Sequence, residues 1–249
     1  MHALFGTKHL ILIAISFVLC GVIFFFMRKW KFRNVCKTMF FMGIVSEIVK
    51  IFYYIIANED KLHGLLPKND LPFHLCSIQI IFFAVLYLSQ NEKLKRFLLG
   101  FMRPSCLFGG IAAIFIATSS SRNGSWVITT QYFLYHVMLI VFSLYLYTSK
   151  ELQFTLKDYF NCLKFLLVLL FFSVYINSIV SDASVTTNFM YVVQPPQDGL
   201  PYLNDNNGWL SYIIRYAILI LVCITLSYIR PIVLAIKNKF SKTKTTENE

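Results

Sequence analysis

Charged side chains are scarce in this sequence. Asp, Glu, Lys and Arg make up 14% of the residues, whereas hydrophobic residues make up 57%. Soluble globular domains carry about 25% charged residues, so this composition excludes that class. It is typical of a helical protein with several membrane spans.

Acidic residues are scarcer than basic ones, 12 against 23, which gives a formal net charge of +11. In a soluble protein such an excess would suggest a nucleic-acid partner. In a membrane protein the basic residues instead face the anionic inner leaflet. We therefore expect no nucleic acid among the partners.

Motifs for metals and disulfides are also missing. The six cysteines include no Cys-x-x-Cys pair, and the five histidines form no cluster with zinc-ligand spacing. We expect no metal site, no cofactor and no disulfide framework, and most of the cysteines to be buried, inert thiols. The lack of an internal repeat argues against a transporter built from two similar halves.

What the chain does have is seven apolar runs, each long enough for the roughly 20 residues that a helical span needs. They lie near residues 9–27, 38–57, 71–89, 97–118, 127–148, 159–180 and 209–229. The predicted fold is all-α, a single seven-helix transmembrane domain over residues 1–236. A basic cytoplasmic tail over 237–249 is predicted to be disordered.

The distribution of Lys and Arg predicts the topology. With the N-terminus outside and the C-terminus inside, fifteen basic residues fall in inner segments and four in outer ones. The 28-residue outer loop from Ser181 to Gly208 contains neither Lys nor Arg. The positive-inside rule therefore predicts N-out, C-in. The same loop is long for a helical bundle, which makes it a candidate lid.

The third span begins with an unusual polar segment. Leu71 to Gln79 brings an imidazole, a thiol and an amide to the start of an apolar helix. Asp70 is expected to cap this helix, with Pro72 in its first turn, where the missing N–H does no harm. Cys76 is then expected in the second turn, a short distance below the outer surface.

The fifth span carries a second buried imidazole, His136. If Thr129 or Thr130 caps this helix, His136 lies at about the same depth as Cys76. Tyr132 lies four positions before His136 on the same helix face, and its hydroxyl is a candidate to orient the imidazole.

Two further polar residues flank Cys76. Gln79 shares a helix face with it, whereas His74 points to roughly the opposite side. His74 is therefore a poorer partner for the thiol than His136.

Polar groups also occur in the outer halves of other spans, namely Glu47, Lys50, Asn177 and Arg215. Ionisable groups inside a membrane are costly and are functional candidates by default. Each also has a structural interpretation. Cys76 and His136 would be a packed thiol and an interhelical hydrogen-bonding residue, Glu47 and Lys50 would neutralise each other, and Arg215 would anchor a headgroup.

Three features together resemble the YwaF-like integral membrane proteins over most of the chain. They are Leu-Pro-Phe-His-Leu-Cys-Ser-Ile from Leu71, the later histidine in a Tyr-rich span, and Asn188-Phe-Met-Tyr before a Pro-Pro loop. An animal relative of that family is a multi-span acyltransferase that moves a fatty acyl chain between glycerophospholipids and lysophospholipids through a cysteine, with a histidine as partner. The resemblance implies membrane phospholipids and lysophospholipids as partners.

By this resemblance Cys76 matches the nucleophile and His136 the base. The thiolate would attack a phospholipid ester, and the resulting acyl-thioester would pass to a lysophospholipid hydroxyl. Substrate-binding or supporting roles are expected for His74, Gln79, Tyr132, Glu47, Lys50, Asn177 and Arg215. Of these, Gln79, Tyr132 and Asn177 are the candidates to stabilise the oxyanion.

Two other functional classes fit the same polar layer. An ion or small-solute transporter, channel or receptor-like protein would use the layer for binding, and a lipid-binding scaffold would use it without catalysis. In every case the sequence predicts an integral membrane protein, of the cytoplasmic membrane in a bacterium or of the endomembranes in a eukaryote.

Overall fold

The computed structural model describes residues 4–57, 65–149 and 152–246, and these residues form helices and no strand. Short 3₁₀ turns lie at Lys68–Asp70 and Phe189–Tyr191. Within the described ranges the α-helices are α1 Thr7–Met27, α2 Phe32–Ala57, α3 Leu75–Leu88, α4 Glu92–Phe115, α5 Ser119–Asn123, α6 Trp126–Thr148, α7 Leu156–Val180, α8 Trp209–Ser227 and α9 Ile229–Thr246.

The predicted all-α fold with seven spans is confirmed. Seven described segments are long and apolar enough to cross a membrane. They are α1, α2, the segment Lys68–Leu88 that contains α3, and then α4, α6, α7 and α8. The topology N-out, C-in stays a prediction. The end of the bundle at which α1, α3 and α6 begin is therefore named the Cys76 end, without reference to a side of the membrane.

The start of α6 differs from the expected one. Ser125, and not Thr129 or Thr130, is the N-cap, and its hydroxyl accepts a hydrogen bond from the backbone N–H of Ile128 at 3.4 Å. The helix thus begins at Trp126, and His136 lies in its third turn. At 1.5 Å per residue this is about 15 Å along the helix.

Two helices form the centre of the bundle. More than half of the most apolar stretch of α4 and of α6 is buried inside the protein, against 28% or less in the other five spans. α6 packs on α1, α2 and α4, while α4 also contacts α3, α7 and α8. His136, of which only 3% is exposed, therefore faces protein and not lipid.

A small residue sets the distance between these central helices. A Cβ atom on Gly110 of α4 would lie 2.7 Å from Cγ1 of Ile140 and 3.1 Å from the backbone carbonyl oxygen of His136. Only glycine allows α6 to come this close, as is common where membrane helices pack. By contrast, a Cβ on the adjacent Gly109 would meet only Leu75 Cδ2, at an ordinary 3.7 Å.

The segment after the last span differs from the expected tail. α9 runs from Ile229 to Thr246, so the residues predicted to be a disordered tail from 237 are helical as far as Thr246. Pro231 lies in the first turn of α9, where a proline removes no helical hydrogen bond. Val233, Leu234 and Ile236, which precede the predicted tail, are exposed and give the first part of this helix an apolar surface.

We expect Gly110→Ala to lower the thermal stability of the purified protein, because the added methyl group meets the α6 backbone. Overpacking of this kind costs about 1–3 kcal/mol. Gly109→Ala is the matched control and should leave the unfolding temperature nearly unchanged. Equal unfolding temperatures for the two variants would contradict the close approach of α4 and α6.

Candidate active site

Residues 71–74, which precede the helix that carries Cys76, are not helical. Leu71 and His74 have β-type backbone angles, and α3 begins only at Leu75, with His74 as its N-cap residue. The expectation that Asp70 caps the helix was wrong, because a residue before proline is kept out of the α region and Leu71 precedes Pro72. Cys76 is thus the second residue of α3, in its first turn.

Asp70 instead links this segment to α2. Its carboxylate accepts a hydrogen bond from the Tyr54 hydroxyl at 2.6 Å, and its backbone carbonyl accepts one from Lys50 Nζ at 2.9 Å. Lys50 also forms an ion pair with Glu47 at 2.8 Å. The structural interpretation that Glu47 and Lys50 neutralise each other is therefore confirmed.

The imidazole of His136 has a defined tautomer. Nδ1 lies 2.7 Å from the backbone carbonyl oxygen of Tyr132, which can only accept, so Nδ1 carries the proton. Nε2 is then unprotonated, and it forms no hydrogen bond to the residues that the structure describes. The Tyr132 hydroxyl does not orient the imidazole as expected, because it donates to the carbonyl of Ala113 at 3.0 Å.

Two contacts bring the start of α3 and the middle of α6 together. The hydroxyl of Tyr135, the residue before His136, donates to the backbone carbonyl of Cys76 at 2.9 Å. His74 also lies close enough to His136 for an electrostatic interaction between the two imidazoles. The Cys76 backbone is thus tied directly to the helix that carries His136.

Cys76 and His136 line the same cavity, which has a volume of about 590 Å³. Polar side chains surround its part near the Cys76 end, whereas its inner part is apolar. The inner walls come from α4, α7 and α8 and consist mainly of Phe101, Leu166, Leu170, Leu219, Ile220 and Ile224. A shallower depression of about 770 Å³ beside α2 contains neither histidine nor cysteine, so the candidate site is the cavity with Cys76.

Five of the supporting residues predicted from the sequence line this cavity, and two do not. Those that do are Glu47, Lys50, His74, Gln79 and Tyr132. The Gln79 amide nitrogen donates to the Ser105 hydroxyl at 2.9 Å. Arg215 lies outside the lining, and its guanidinium donates to the backbone carbonyl of Asn204 in the long loop. No described group of three or more His, Cys, Asp or Glu residues is placed to hold a metal ion.

Asn177, the other residue outside the lining, fixes part of the long loop. Its amide oxygen accepts from the backbone N–H of Phe189 at 2.8 Å, and its amide nitrogen donates to the carbonyl of the same residue at 3.1 Å. The Tyr216 hydroxyl holds the carbonyl of Met190, and the Tyr212 hydroxyl holds that of Tyr191. This part of the candidate lid is therefore clamped to α7 and α8.

The clamp supports an unfavourable backbone conformation. Met190 and Tyr191 both have positive φ angles, 55° and 54°, which non-glycine residues rarely adopt. Strain of this kind persists only where the surroundings fix it, and it is frequent at functional sites. In this backbone conformation the Tyr191 ring packs near the His74 ring, with 5.6 Å between the ring centroids.

Tyr191 is a candidate site residue that the sequence reasoning missed, although it ends the Asn-Phe-Met-Tyr motif. It lines the cavity, and burial raises the pKa of its hydroxyl to about 12, with the nearby Cys76 thiol as a smaller cause. The hydroxyl therefore stays protonated at neutral pH and is a hydrogen-bond donor.

We expect Asn177→Ala to loosen the clamp, since it leaves the buried N–H and carbonyl of Phe189 without partners. Each unsatisfied group costs about 1–3 kcal/mol. Hydrogen exchange at residues 188–191 should become faster. Ser178→Ala is the control, because the Ser178 hydroxyl is exposed and bonds only within its own helix. Unchanged protection in Asn177→Ala would contradict the clamp.

Comparison with known proteins adds the family. No curated protein and no solved structure matches the chain. A family model matches residues 4–228, which include every membrane span and both Cys76 and His136. The chain belongs to the TMEM164 family, a family of multi-pass membrane proteins.

Proposed function

We propose that this protein is a membrane-embedded acyltransferase. It moves a fatty acyl chain between a glycerophospholipid and a lysophospholipid through an acyl-thioester on Cys76. The observation that carries the proposal is a single amphiphilic cavity that contains a thiol at a helix start and an imidazole whose Nε2 is free to accept a proton.

His136 is suited to act as the general base. Its Nδ1–H is held by the carbonyl of Tyr132, so a proton can be taken up only at Nε2. This arrangement reproduces the logic of a nucleophile and a base in which a third group orients the base. Here the third group is a backbone carbonyl in place of a carboxylate.

Groups that stabilise an anion lie close to the Cys76 sulfur. In the first turn of α3 the positive end of the helix dipole is close, which stabilises an anion. The Ser77 backbone N–H and hydroxyl also lie near the sulfur. The N–H groups of Leu75 and Cys76 have no acceptor among the described residues, so they are available to a developing oxyanion.

Other donors differ in their availability. Asn177 is committed to Phe189 on both sides of its amide, which makes it a poor oxyanion donor. The Tyr191 hydroxyl is a better one, because it lines the cavity and remains protonated. The oxyanion hole would then combine backbone N–H groups of α3 with one tyrosine.

The shape of the cavity supports a lipid substrate. Leu170, Leu166 and Cys162 follow one face of α7 over eight residues, so the apolar part extends inward by about 12 Å. An acyl chain would fit along this wall while its ester stays at the level of Cys76. An apolar cavity also limits water, which favours transfer over hydrolysis of the thioester.

The reaction proceeds in two balanced halves. The Cys76 thiolate attacks the ester carbonyl after His136 takes the thiol proton, and the C–O bond of the ester breaks. The departing lysophospholipid alkoxide takes the proton back from His136. In the second half His136 removes the proton from an incoming lysophospholipid hydroxyl, which attacks the thioester, and the C–S bond breaks. The Cys76 thiolate that leaves takes this proton from His136, so both groups return to their starting forms.

We expect purified protein supplied with labelled phospholipid to form a hydroxylamine-sensitive adduct that is absent in Cys76→Ala. Cys223→Ala is the matched control, because Cys223 lines the apolar part of the same cavity and should not carry the acyl group. The proposal would be contradicted by an adduct that is still formed in Cys76→Ala. It would also be contradicted if neither an adduct nor acyl transfer were detected under any lipid condition.

We also expect His136→Ala to lower the rate of acyl transfer by about 10²- to 10⁴-fold, the usual contribution of a general base. Unfolding temperature should be recorded alongside the rate to show that the variant folds. His74→Gln should reduce transfer far less, since His74 is bonded to the Asn69 carbonyl at 3.2 Å. Normal turnover in His136→Ala would exclude it as the base.

A further inference from the structure

Arg122 stands out among the cations of this protein. It belongs to the short helix α5 at the Cys76 end, and its exposed fraction is only 4%. The Nε and Nη1 atoms are buried without a hydrogen-bond partner. With the Gln197 amide turned so that both of its ends are satisfied, Nη2 donates to the Gln197 side-chain oxygen at 2.9 Å. Two of the three guanidinium nitrogens are thus left without an acceptor.

Several other cations in the described ranges have a compensating group. Lys50 pairs with Glu47, and Arg96 pairs with Asp158. The Arg103 guanidinium has no carboxylate, but it lies over the rings of Tyr147 and Phe154 at 4.0 and 4.7 Å. Within the described residues Arg122 has neither a carboxylate nor a ring face. A buried guanidinium without a counter-charge is unfavourable until an anion binds.

Arg122 is not itself one of the residues that line the cavity, but its neighbours are, so its guanidinium lies behind the cavity wall. Ser121, the preceding residue, lines the cavity, and so does Tyr132, with which Arg122 interacts electrostatically. The Tyr132 ring in turn packs against the His136 imidazole, with 4.3 Å between centroids. One aromatic side chain therefore separates the unpaired guanidinium from the proposed base.

We propose that Arg122 turns past Ser121 into the polar end of the cavity and there binds the phosphate group of the phospholipid substrate. A planar guanidinium donates two parallel hydrogen bonds to phosphate oxygens, a geometry that lysine cannot reproduce. In a glycerophospholipid only a few covalent bonds separate the phosphate from the nearest acyl ester. A phosphate on Arg122 therefore leaves that ester within reach of Cys76 and the chain directed along the apolar wall.

This inference rests on the proposed function for the identity of the lipid, but its test does not need catalysis. All proteins carry Cys76→Ala, so no thioester can form. The probes are a radiolabelled dialkyl-ether phosphatidylcholine, which has no ester to transfer, the corresponding dialkylglycerol without phosphate, and inorganic phosphate. Binding to the full chain is measured in detergent.

We expect Arg122→Gln to weaken binding of the ether phospholipid at least tenfold and to leave binding of the dialkylglycerol unchanged. Arg122→Lys should bind the ether phospholipid with an affinity between those of the protein with Arg122 and of Arg122→Gln. It keeps the positive charge but cannot donate two parallel hydrogen bonds. Lys8→Gln is the matched control, since it removes one positive charge from the same end of the bundle at a residue that is not buried, and it should bind all probes normally.

Inorganic phosphate distinguishes the two sources of this chemistry. Arg122-dependent binding of the phospholipid supports the headgroup as the ligand, and Arg122-dependent binding of phosphate alone supports a free phosphate anion at the same site. The proposal would be overturned if the ether phospholipid and inorganic phosphate both bound equally well with and without Arg122. It would also be overturned if a folded Arg122→Gln variant lost affinity for the ether phospholipid and for the dialkylglycerol to the same extent.

If Arg122→Gln fails to fold, the chain with Arg122 intact still decides the question. It should bind the ether phospholipid at least tenfold more tightly than the dialkylglycerol, and equal affinities would overturn the proposal. Failure of acyl transfer in the protein with Cys76 restored would affect the proposed function alone.

Discussion

The close approach of α4 and α6 at Gly110 fixes the geometry on which the candidate site depends. Helices in a bilayer gain little from the hydrophobic effect when they associate, so packing of backbone against backbone and hydrogen bonds hold them together. Gly110 faces the carbonyl of His136 itself, which sets the depth and rotation of the imidazole. Tyr135, one residue earlier, then reaches the backbone of Cys76. A single contact between central helices thus determines where both groups lie.

A second constraint acts on the long loop. Phe189 and Met190 are buried, and buried backbone polar groups need hydrogen-bond partners. Asn177, Tyr212 and Tyr216 provide them for three consecutive residues, whose carbonyls and one N–H they bind. The loop is consequently less a mobile lid at this point than a fixed part of the cavity wall.

Hydropathy was sufficient to predict the spans, because a helix that crosses a bilayer must be apolar over a fixed length. The start of α3 was not predictable in the same way. His74 is an N-cap whose side chain does not cap, so no sequence signal marked the boundary, and the dipeptide Leu71-Pro72 moved it toward Cys76.

Long-range partners account for the other differences. Asn177 and Arg215 read as polar residues within spans, but each binds loop backbone more than ten residues away, which no helical periodicity reveals. Arg122 was one of four basic residues on the predicted outer side, and nothing in its neighbours indicated that the fold would bury it without a counter-charge. Burial of a lone charge is a property of the assembled bundle.

The apolar part of the cavity is walled by α7 and α8, two helices whose remaining surface is itself apolar and largely exposed. An acyl chain that binds there moves from the hydrocarbon of the bilayer into an apolar cavity. The hydrophobic effect therefore contributes little to its binding free energy. For the proposed enzyme, affinity would depend on the polar groups at the Cys76 end. Its substrate concentration would be a mole fraction in the leaflet, and saturation would follow membrane composition more closely than the amount of lipid in the sample.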